Sequence, residues 1–390
     1  MKLMLKRIIF ICAVILISHI SIHVYAKETA FSNSPKLNDG EKWRIGYYEG
    51  GPYINYKNSL IGTIQGLMEL GWIERAEIPN PEPEKEESTP IWEWLVTKSK
   101  SKYILFLKDG HYSADWDKKV RIKMMTGLIK RLNAKKDIDF IIGMGTWAGK
   151  DLANNKHKTP TIICSTSDAV GAGIIKSPDD SGFDHIHAQV DPYRHVRQIH
   201  IFHDYIEFKR LGMLYEDTED GRSYAALEKV KKVAKERKFK IVKCFTKSDG
   251  VKPEVATASV KKCLEKLAKQ KVDAIYITEQ GGVSAKTICD HVKIINDNRI
   301  PSFSQSGQAE VERGLLMSIA KPGYKYVGLF QAKTMAKAFN GAKLRQLEQV
   351  HESPPKIAIN LQTAEKIEWD VPVEILGIAD AIFTDIKECK

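Results

Sequence analysis

Short apolar runs alternate with amphipathic helical patterns along almost the whole chain, and this alternation restricts the fold more than any other feature. Residues 43–48 read as a strand, and 59–70 as a helix with Leu60, Ile64, Leu67 and Met68 on one face, stopped at Gly71. Strands at 102–107, 139–143 and 160–164 follow, with helical patterns at 118–132 and 146–154 between them. A βαβα order makes the strands parallel, because each crossover lays a helix across the sheet. A second set starts after a Gly-rich connection, with helices at 193–205, 224–238, 255–269 and 284–295 and strands at 210–215, 240–245 and 273–278. Shorter apolar strands at 300–304 and 315–319 complete it. The expected fold class is α/β: two Rossmann-like lobes, each a parallel sheet flanked by helices, with a cleft between them. A chain of 390 residues is also longer than one hydrophobic core usually organises. In such sheets ligands bind beyond the carboxyl ends of the strands, so the loops at those ends are the candidate site.

The N-terminal residues stand outside the pattern. Lys2, Lys6 and Arg7 precede an apolar run at 8–17, and Val24-Tyr25-Ala26 satisfies the small-residue rule for signal-peptide cleavage. The run falls short of the about 20 residues that a membrane span needs. Residues 1–26 therefore read as a signal peptide and 27–41 as a polar leader, with a retained anchor as the competing reading; the expected location is periplasmic. Five cysteines then remain: Cys164, Cys244, Cys263, Cys289 and Cys389. An odd number without a C-x-x-C pair is neither a disulfide framework nor a zinc ribbon. They read mostly as small buried hydrophobes, and spacing does not decide whether one bridge, such as Cys244–Cys263, forms. At 43% hydrophobic and 28% charged, the composition excludes disordered, collagen-like and polytopic membrane chains. The formal charge of +11 raises nucleic acid as a partner, but the basic residues read as spread along the chain, so none is expected.

Several loops gather residues suited to binding. After the first strand, Glu49-Gly50-Gly51-Pro52-Tyr53-Ile54-Asn55-Tyr56 combines glycines that let backbone approach a ligand with tyrosines that can stack on one. A tight turn with packed tyrosines is the plainer alternative. After the third strand, Gly143-Met144-Gly145-Thr146-Trp147-Ala148-Gly149-Lys150 opens a helix. Its glycines miss the dinucleotide spacing by one residue and fail the P-loop pattern. What remains is a helix N-terminus able to receive an anion, with the Thr146 hydroxyl and the Trp147 ring beside it. After the fourth strand, Ser167 and Asp168 stand in a Gly-rich loop; Asp168 either meets a ligand ammonium or makes an Asx turn or helix cap. In the second half Tyr215, Arg222 and Ser223 border an acidic turn, where Arg222 and Ser223 could hold an anionic group. Thr278 and Gln280, then Gln305, complete the set. The grouped histidines His185, His187, His195, His200 and His203 lack an H-E-x-x-H or a cysteine partner, and there is no G-x-S-x-G elbow or nucleophile–base pair. No metal, cofactor or catalysis is expected.

Three segments resemble a known family. Ser167-Asp168-Ala169-Val170-Gly171-Ala172-Gly173 is similar to its T-D-P-V-G-A-G. Ile357-Ala358-Ile359-Asn360-Leu361-Gln362-Thr363-Ala364 is similar to V-I-N-L-K-T-A, with Ala379-Asp380 following as in a closing A-R-A-D. Asp139-Phe140-Ile141-Ile142-Gly143-Met144-Gly145-Thr146 is similar to D-x-I-V-A-I-G-T. The family is that of ABC-transporter substrate-binding proteins with the type I periplasmic-binding fold, whose best-known members bind aromatic amino acids. The resemblance spans residues 43–383. It implies a three-strand hinge crossed near Ala188, Ser318 and Pro355, dividing the chain into 42–188 plus 319–354 and 189–318 plus 355–390. It also implies that Thr146 and neighbouring amides meet a ligand carboxylate, that Asp168 meets its ammonium, and that Tyr215, Ser223 and Thr278 close from the second lobe. Four features depart from the family's pattern. Trp147 stands where Pro is frequent, Ala169 replaces the Pro of T-D-P, Glu279-Gln280-Gly281-Gly282 differs from D-N-T, and the Pro/Glu-rich stretch 79–90 is additional. The implied function is that of a monomeric, exported solute-binding protein that presents a small amino-acid-like ligand to an ABC permease. A periplasmic sensor signalling to a membrane receptor is the alternative.

Overall fold

The computed structural model describes residues 31–390 except 81, 84, 321, 322, 353–355 and 390; the expected signal peptide lies outside the described residues. The first sheet contains β1 (Trp43–Glu49), β2 (Ile104–Ser113), β3 (Phe140–Met144), β4 (Thr161–Cys164) and β5 (Ile186–Ala188). Their order is β2-β1-β3-β4-β5 and every pairing is parallel. Helices α1 (Ile54–Glu69), α2 (Thr89–Thr97), α3 (Lys118–Ala134) and α4 (Gly145–Leu152) connect them. The second set begins with α5 (Arg194–Ile206), β6 (Arg210–Tyr215), α6 (Glu219–Tyr224), α7 (Leu227–Arg237), β7 (Lys240–Phe245) and α8 (Pro253–Lys269). It continues through β8 (Ala274–Ile277), α9 (Ile288–Asp297), β9 (Ser302–Ser304), α10 (Gln308–Glu312) and β10 (Met317–Ala320). Helix α11 (Lys325–Phe339) follows, then β11 (Lys356–Asn360), α12 (Leu361–Lys366), α13 (Val373–Ile378) and β12 (Ala379–Phe383). The second sheet runs β12-β11-β10-β9-β8-β6-β7 and is parallel except that β11 lies antiparallel to β10. The expected α/β class, two mostly parallel sheets flanked by helices, is the observed one.

Two expectations about local structure change. The helix expected at 224–238 begins at Leu227, because Ala226 takes a left-handed backbone (φ 49) and separates it from a helix that ends at Tyr224. The earlier helix α6 is nucleated by Thr218, whose hydroxyl accepts the Gly221 N–H at 3.0 Å, with Glu219 and Asp220 in the first turn. Strand β2 continues past residue 107 to Ser113, with a register shift against β1 between Ile45 and Tyr47.

Helix α11 follows the second sheet in sequence but packs on the first. Its Gly328 lies so close to α1 that a Cβ there would sit 2.1 Å from the Gly62 carbonyl carbon. A Cβ on Gly66 would likewise stand 2.8 Å from that of Ala332. Across this crossing Thr63 Oγ1 and Ser59 Oγ donate to Gln331 Oε1 at 2.5 and 3.2 Å. Leu60, Ile64 and Leu67 share one buried core with Ala332, Met335 and Phe339, and Trp43 stacks on Phe339 at 4.6 Å. The chain therefore passes between the sheets after Ala188 and again between β10 and α11, and is back in the second sheet at β11. Val190 pairs in parallel with Val350, joining the first and third passages.

Two disulfides are present, Cys244–Cys263 between β7 and α8 and Cys289–Cys389 between α9 and the C-terminal segment. Cys164 is free and buried. Spacing left even the first of these open. After denaturation without reductant, peptide mapping should find Cys164 alkylated and the other four cysteines of residues 33–390 protected; alkylation of all five would contradict both bridges. Gly328→Val should lower the unfolding free energy by about 1–3 kcal/mol through overpacking. Gly127→Ala, in α3 with open space around it, should raise it by about 0.5–1 kcal/mol. Urea titration of the pair reads both, and equal effects would mean that α1 and α11 are not in close contact.

Candidate ligand site between the two sheets

The loops at the carboxyl ends of both sheets touch one another. Lys150 in α4 places its ammonium 3.1 Å from Glu219 and 2.5 Å from Asp220, both in α6. Ser167, after β4, donates its hydroxyl to Glu279 Oε2, after β8, at 2.7 Å. Ser223 Oγ donates to the Asp168 carbonyl at 3.4 Å, and His195 Nε2 lies 3.1 Å from the Ser167 carbonyl oxygen.

Glu279 stands where the two sets of loops meet. Its backbone N–H donates to Gln305 Oε1 at 2.9 Å, and Arg194 lies 3.6 Å from its Oε1 while donating to the Gln305 carbonyl at 2.9 Å. Gln305 Nε2 in turn donates to the Tyr224 carbonyl at 2.7 Å. Burial pushes the phenols of Tyr53, Tyr56 and Tyr324 up, and the Glu279 carboxylate adds to the rise in all three; Arg194 opposes it at Tyr324. Tyr324 donates to Asn55 Oδ1 and Asn55 Nδ2 to the Tyr53 hydroxyl, so one tyrosine orders the next. Glu310 lies on the same side, held by the Ser304 hydroxyl at 2.6 Å and pushed up to about 7 by burial.

The first-sheet wall of this site is aromatic. Tyr53 and Tyr56 meet edge to face at 5.1 Å, Tyr56 and Trp116 lie 6.2 Å apart, and Trp116 meets Trp147 at 5.4 Å. The glycine-rich loops make room for these rings. A Cβ on Gly51 would sit 2.6 Å from the Trp116 ring, and one on Gly145 would overlap the Tyr56 hydroxyl at 1.8 Å. Gly145 also has φ +82, which side chains other than glycine rarely adopt. Behind the wall, Arg121 lies over the Trp147 ring at 4.4 Å while its guanidinium bonds both Asp151 oxygens at 2.9 Å. Trp147 Nε1 and Thr166 Oγ1 are buried without a hydrogen-bond partner among the described residues. Rings flanking a buried carboxylate suit a ligand with a flat or apolar body and a cationic group.

The residues singled out in the sequence divide into groups. Tyr53, Trp147, Ser167, Ser223 and Gln305 lie in or beside the meeting of the loops, with Thr146 buried in the first turn of α4 and Gly51 beneath Trp116. Thr278 and Gln280 form a buried network: Thr278 donates to the Leu214 carbonyl at 2.6 Å, and Gln280 donates to Thr278 and accepts from Thr246. Asp168 turns its carboxylate onto its own loop, accepting the Gly171 N–H three residues on at 2.9 Å, a capping geometry. Arg222 is exposed and paired with Asp217 at 2.8 Å, and the Tyr215 ring packs in the second sheet's core against Phe245. Glu49 accepts from Tyr47 and Ser88 at 2.6 and 2.9 Å within the first set of elements. Sequence reasoning passed over Asn55, Trp116, Arg194, Glu279 and Tyr324. The signal for Glu279 was its departure from the family's D-N-T; Tyr324 carried none, standing 269 residues from its partner Asn55. A separate depression of about 480 Å³, lined by Met68, Trp72, Arg75 and Tyr103, lies at the amino ends of the strands and shares none of these residues.

The family model described as ABC transporter substrate binding protein matches residues 111–382. The chain belongs to that family. It is a substrate-binding protein of ABC transporters that binds a small ligand, and the family is one of solute-binding proteins rather than enzymes. Among solved structures, one from Streptococcus pneumonia, an ABC domain in complex with L-Trp, is 18% identical with a TM-score of 0.67, covering 88% of this chain and 100% of that one. A conserved domain protein from Vibrio cholerae gives 18% identity and a TM-score of 0.65 over the same shares. The ligand-free, open structure of a substrate binding protein with adhesive properties from Clostridium difficile gives 17% and 0.59, again over 88% and 100%. At these identities the likeness is one of fold. No curated protein matches the chain. Among the described residues no helix is long and apolar enough to cross a membrane, and no three His, Cys, Asp or Glu side chains are grouped to hold a metal ion.

The buried ionisable groups give a pH signature. Burial raises the Glu49 carboxyl from 4.5 to about 7, and Glu310 likewise, so the folded chain binds these protons more tightly than the unfolded one. Their stabilisation is complete below about pH 4.5 and is lost as pH rises through about 7. His111 works in the opposite sense: burial lowers it from 6.5 to about 4, so its contribution is lost as pH falls through that range. Glu49→Gln should therefore flatten the decline in unfolding free energy between about pH 5 and pH 8 by about 2–3 kcal/mol. Urea titrations at both pH values test this, and an unchanged slope would show that Glu49 ionises normally.

Proposed function

We propose that the chain is the exported, monomeric solute-binding component of an ABC importer, closing over a small amino-acid-like ligand and presenting it to a membrane permease. The observation that carries the ligand class is the Glu279 carboxylate among the rings of Tyr53, Tyr56 and Tyr324, at the junction of loops from both sheets. A ligand ammonium would meet Glu279, and an aromatic or apolar body would lie on the first-sheet rings. The N-terminus of α4, with Thr146, would receive its carboxylate. Asp168, committed to its own turn, would shape the loop instead. Chain segments 42–188 plus 319–354 and 189–318 plus 355–390 would move as lobes about the three passages. A ligand touching both would favour the closed state by differential affinity. The bound L-Trp of the Streptococcus pneumonia structure supports an aromatic amino acid. The signal-peptide pattern and two disulfides support an oxidising, periplasmic location.

Thermal-shift screening against amino acids, sugars and nucleosides identifies the ligand, since one at a hundredfold its dissociation constant stabilises by about 2.7 kcal/mol. Tryptophan, tyrosine or phenylalanine should give the shift. A response confined to sugars or nucleosides would overturn the ligand class. By calorimetry, Glu279→Gln should then weaken binding by about thirtyfold or more, as expected for a buried charge left unpaired. Asp168→Asn should change it far less. The reverse order would return the ammonium to Asp168.

A further inference from the structure

Residues 229–271 contain fifteen Lys and Arg against four Asp and Glu, a net charge of +11, which equals the formal charge of the whole chain. The rest of the sequence balances to zero, so the basicity that reads as dispersed is confined to α7, β7 and α8. The fold brings these three elements to one place. Strand β7 is the free edge of the second sheet. Helix α7 packs through Val230, Val233 and Ala234 on the sheet face carrying Leu211, Met213 and Tyr215. Helix α8 packs through Val260, Leu264 and Leu267 on the opposite face with Leu214 and Ile275. The Cys244–Cys263 disulfide pins α8 to β7. Fourteen of the fifteen basic residues are exposed, and among the described residues only Lys231, Arg237 and Lys261 of this set form ion pairs.

Lysines on an edge strand ordinarily block pairing with another sheet, which accounts for Lys240 and Lys243. It does not account for the helix backs, where Lys232, Lys235, Lys238, Lys262, Lys266 and Lys269 leave the two sides of that edge equally charged. The type of residue narrows the partner. All but Arg237 are lysines, hydrated point charges suited to diffuse attraction rather than to bidentate reading of a phosphate. Grooves for single-stranded nucleic acid interleave several aromatic rings for base stacking, whereas here Phe245 is the one aromatic side chain exposed in the segment. Phe245, 56% exposed, and Val255, 43% exposed, lie where β7 ends and α8 begins, near Lys247 and Lys252. Exposed apolar side chains beside a lysine field match the layered chemistry of a headgroup region.

We propose that the α7–β7–α8 edge docks the protein on anionic phospholipid membranes. The test is vesicle co-sedimentation of the full chain, with phosphatidylcholine vesicles as baseline, because residues 8–17 are themselves apolar. Vesicles containing phosphatidylglycerol should bind at least about tenfold more protein at about 0.1 M salt and return to baseline at about 1 M, where the Debye length shrinks to about 3 Å. The combined change Lys235→Glu, Lys243→Glu, Lys262→Glu and Lys266→Glu should abolish the excess. The matched change Lys108→Glu, Lys123→Glu, Lys130→Glu and Lys135→Glu, on the first-sheet elements, should keep most of it. No excess for the unmodified chain, or equal loss in both variants, overturns the proposal. Retardation of duplex DNA without any vesicle excess also overturns it and reassigns the edge to nucleic acid. The lipid and salt series on the unmodified chain decides the matter even where a variant unfolds.

Discussion

The crossing of α1 with α11 is the contact on which the arrangement of the two sheets depends. At Gly62, Gly66 and Gly328 the helices touch backbone to backbone, a distance that only missing side chains allow. The Gln331 amide then satisfies two hydroxyls of α1 inside the contact, so closeness costs no unpaired acceptor on that oxygen. Because α11 is held there, the chain must leave the second sheet after β10 and come back at β11. The second and third connections between the sheets are thus a consequence of where one late helix is buried. The same crossing brings Tyr324, at the N-terminal end of α11, onto Asn55 and Tyr53 at the start of α1, so the packing that fixes the passages also builds one side of the ligand site.

Glycine has a second use at the site. In the loops after β1 and β3 it is the absence of Cβ atoms, more than any fingerprint spacing, that lets Trp116 and Tyr56 lie directly on backbone. Of the glycines in the near-miss to a dinucleotide motif, Gly145 makes room for the Tyr56 ring, and Gly143 and Gly149 make room for Ile163 and Ile174. A site walled by rings on one sheet and carrying its carboxylates on the other binds well only when both are in contact with the same molecule. In the proposed function, that division of chemistry between the two sheets would make closure depend on ligand.

Much of the fold was legible because α/β sequences carry it locally: residues 210–215 and 240–245 coincide with β6 and β7, and α3 begins at the expected Lys118. The failures have local causes as well. Ala226 in a left-handed conformation has no sequence signature, and Lys108-Asp109-Gly110 resembles a turn although β2 runs through it. At the site, topology sufficed to locate the loops but not their pairings. The Ser167–Glu279 contact spans 112 residues and exists only where two sheets meet. For Asp168 the reverse holds: its partner, the Gly171 N–H, lies three residues away, and a short-range hydrogen bond outcompetes a more distant role.

The Pro/Glu-rich stretch 79–90, additional to the family pattern, is built into the first sheet rather than appended to it. The buried Lys57 of α1 donates to Asn80 Oδ1 and to the carbonyls of Glu82 and Pro83 at 3.0–3.2 Å, satisfying an ammonium that would otherwise be costly to bury. At the other end of the stretch Ser88, fully buried, donates to Glu49 and lies 2.9 Å from His111 Nε2. Glu49 ends β1 and immediately precedes the glycine loop under Trp116. The stretch therefore supplies the hydroxyl that steadies the last residue before the site. Burial pushes the carboxyl of its Glu86 up, the neighbouring Glu87 adds to the rise, and the charges of Lys286 and Lys57 oppose it. Anchored on Lys57 at one end and on Glu49 and His111 at the other, the insertion is part of the first sheet's own packing.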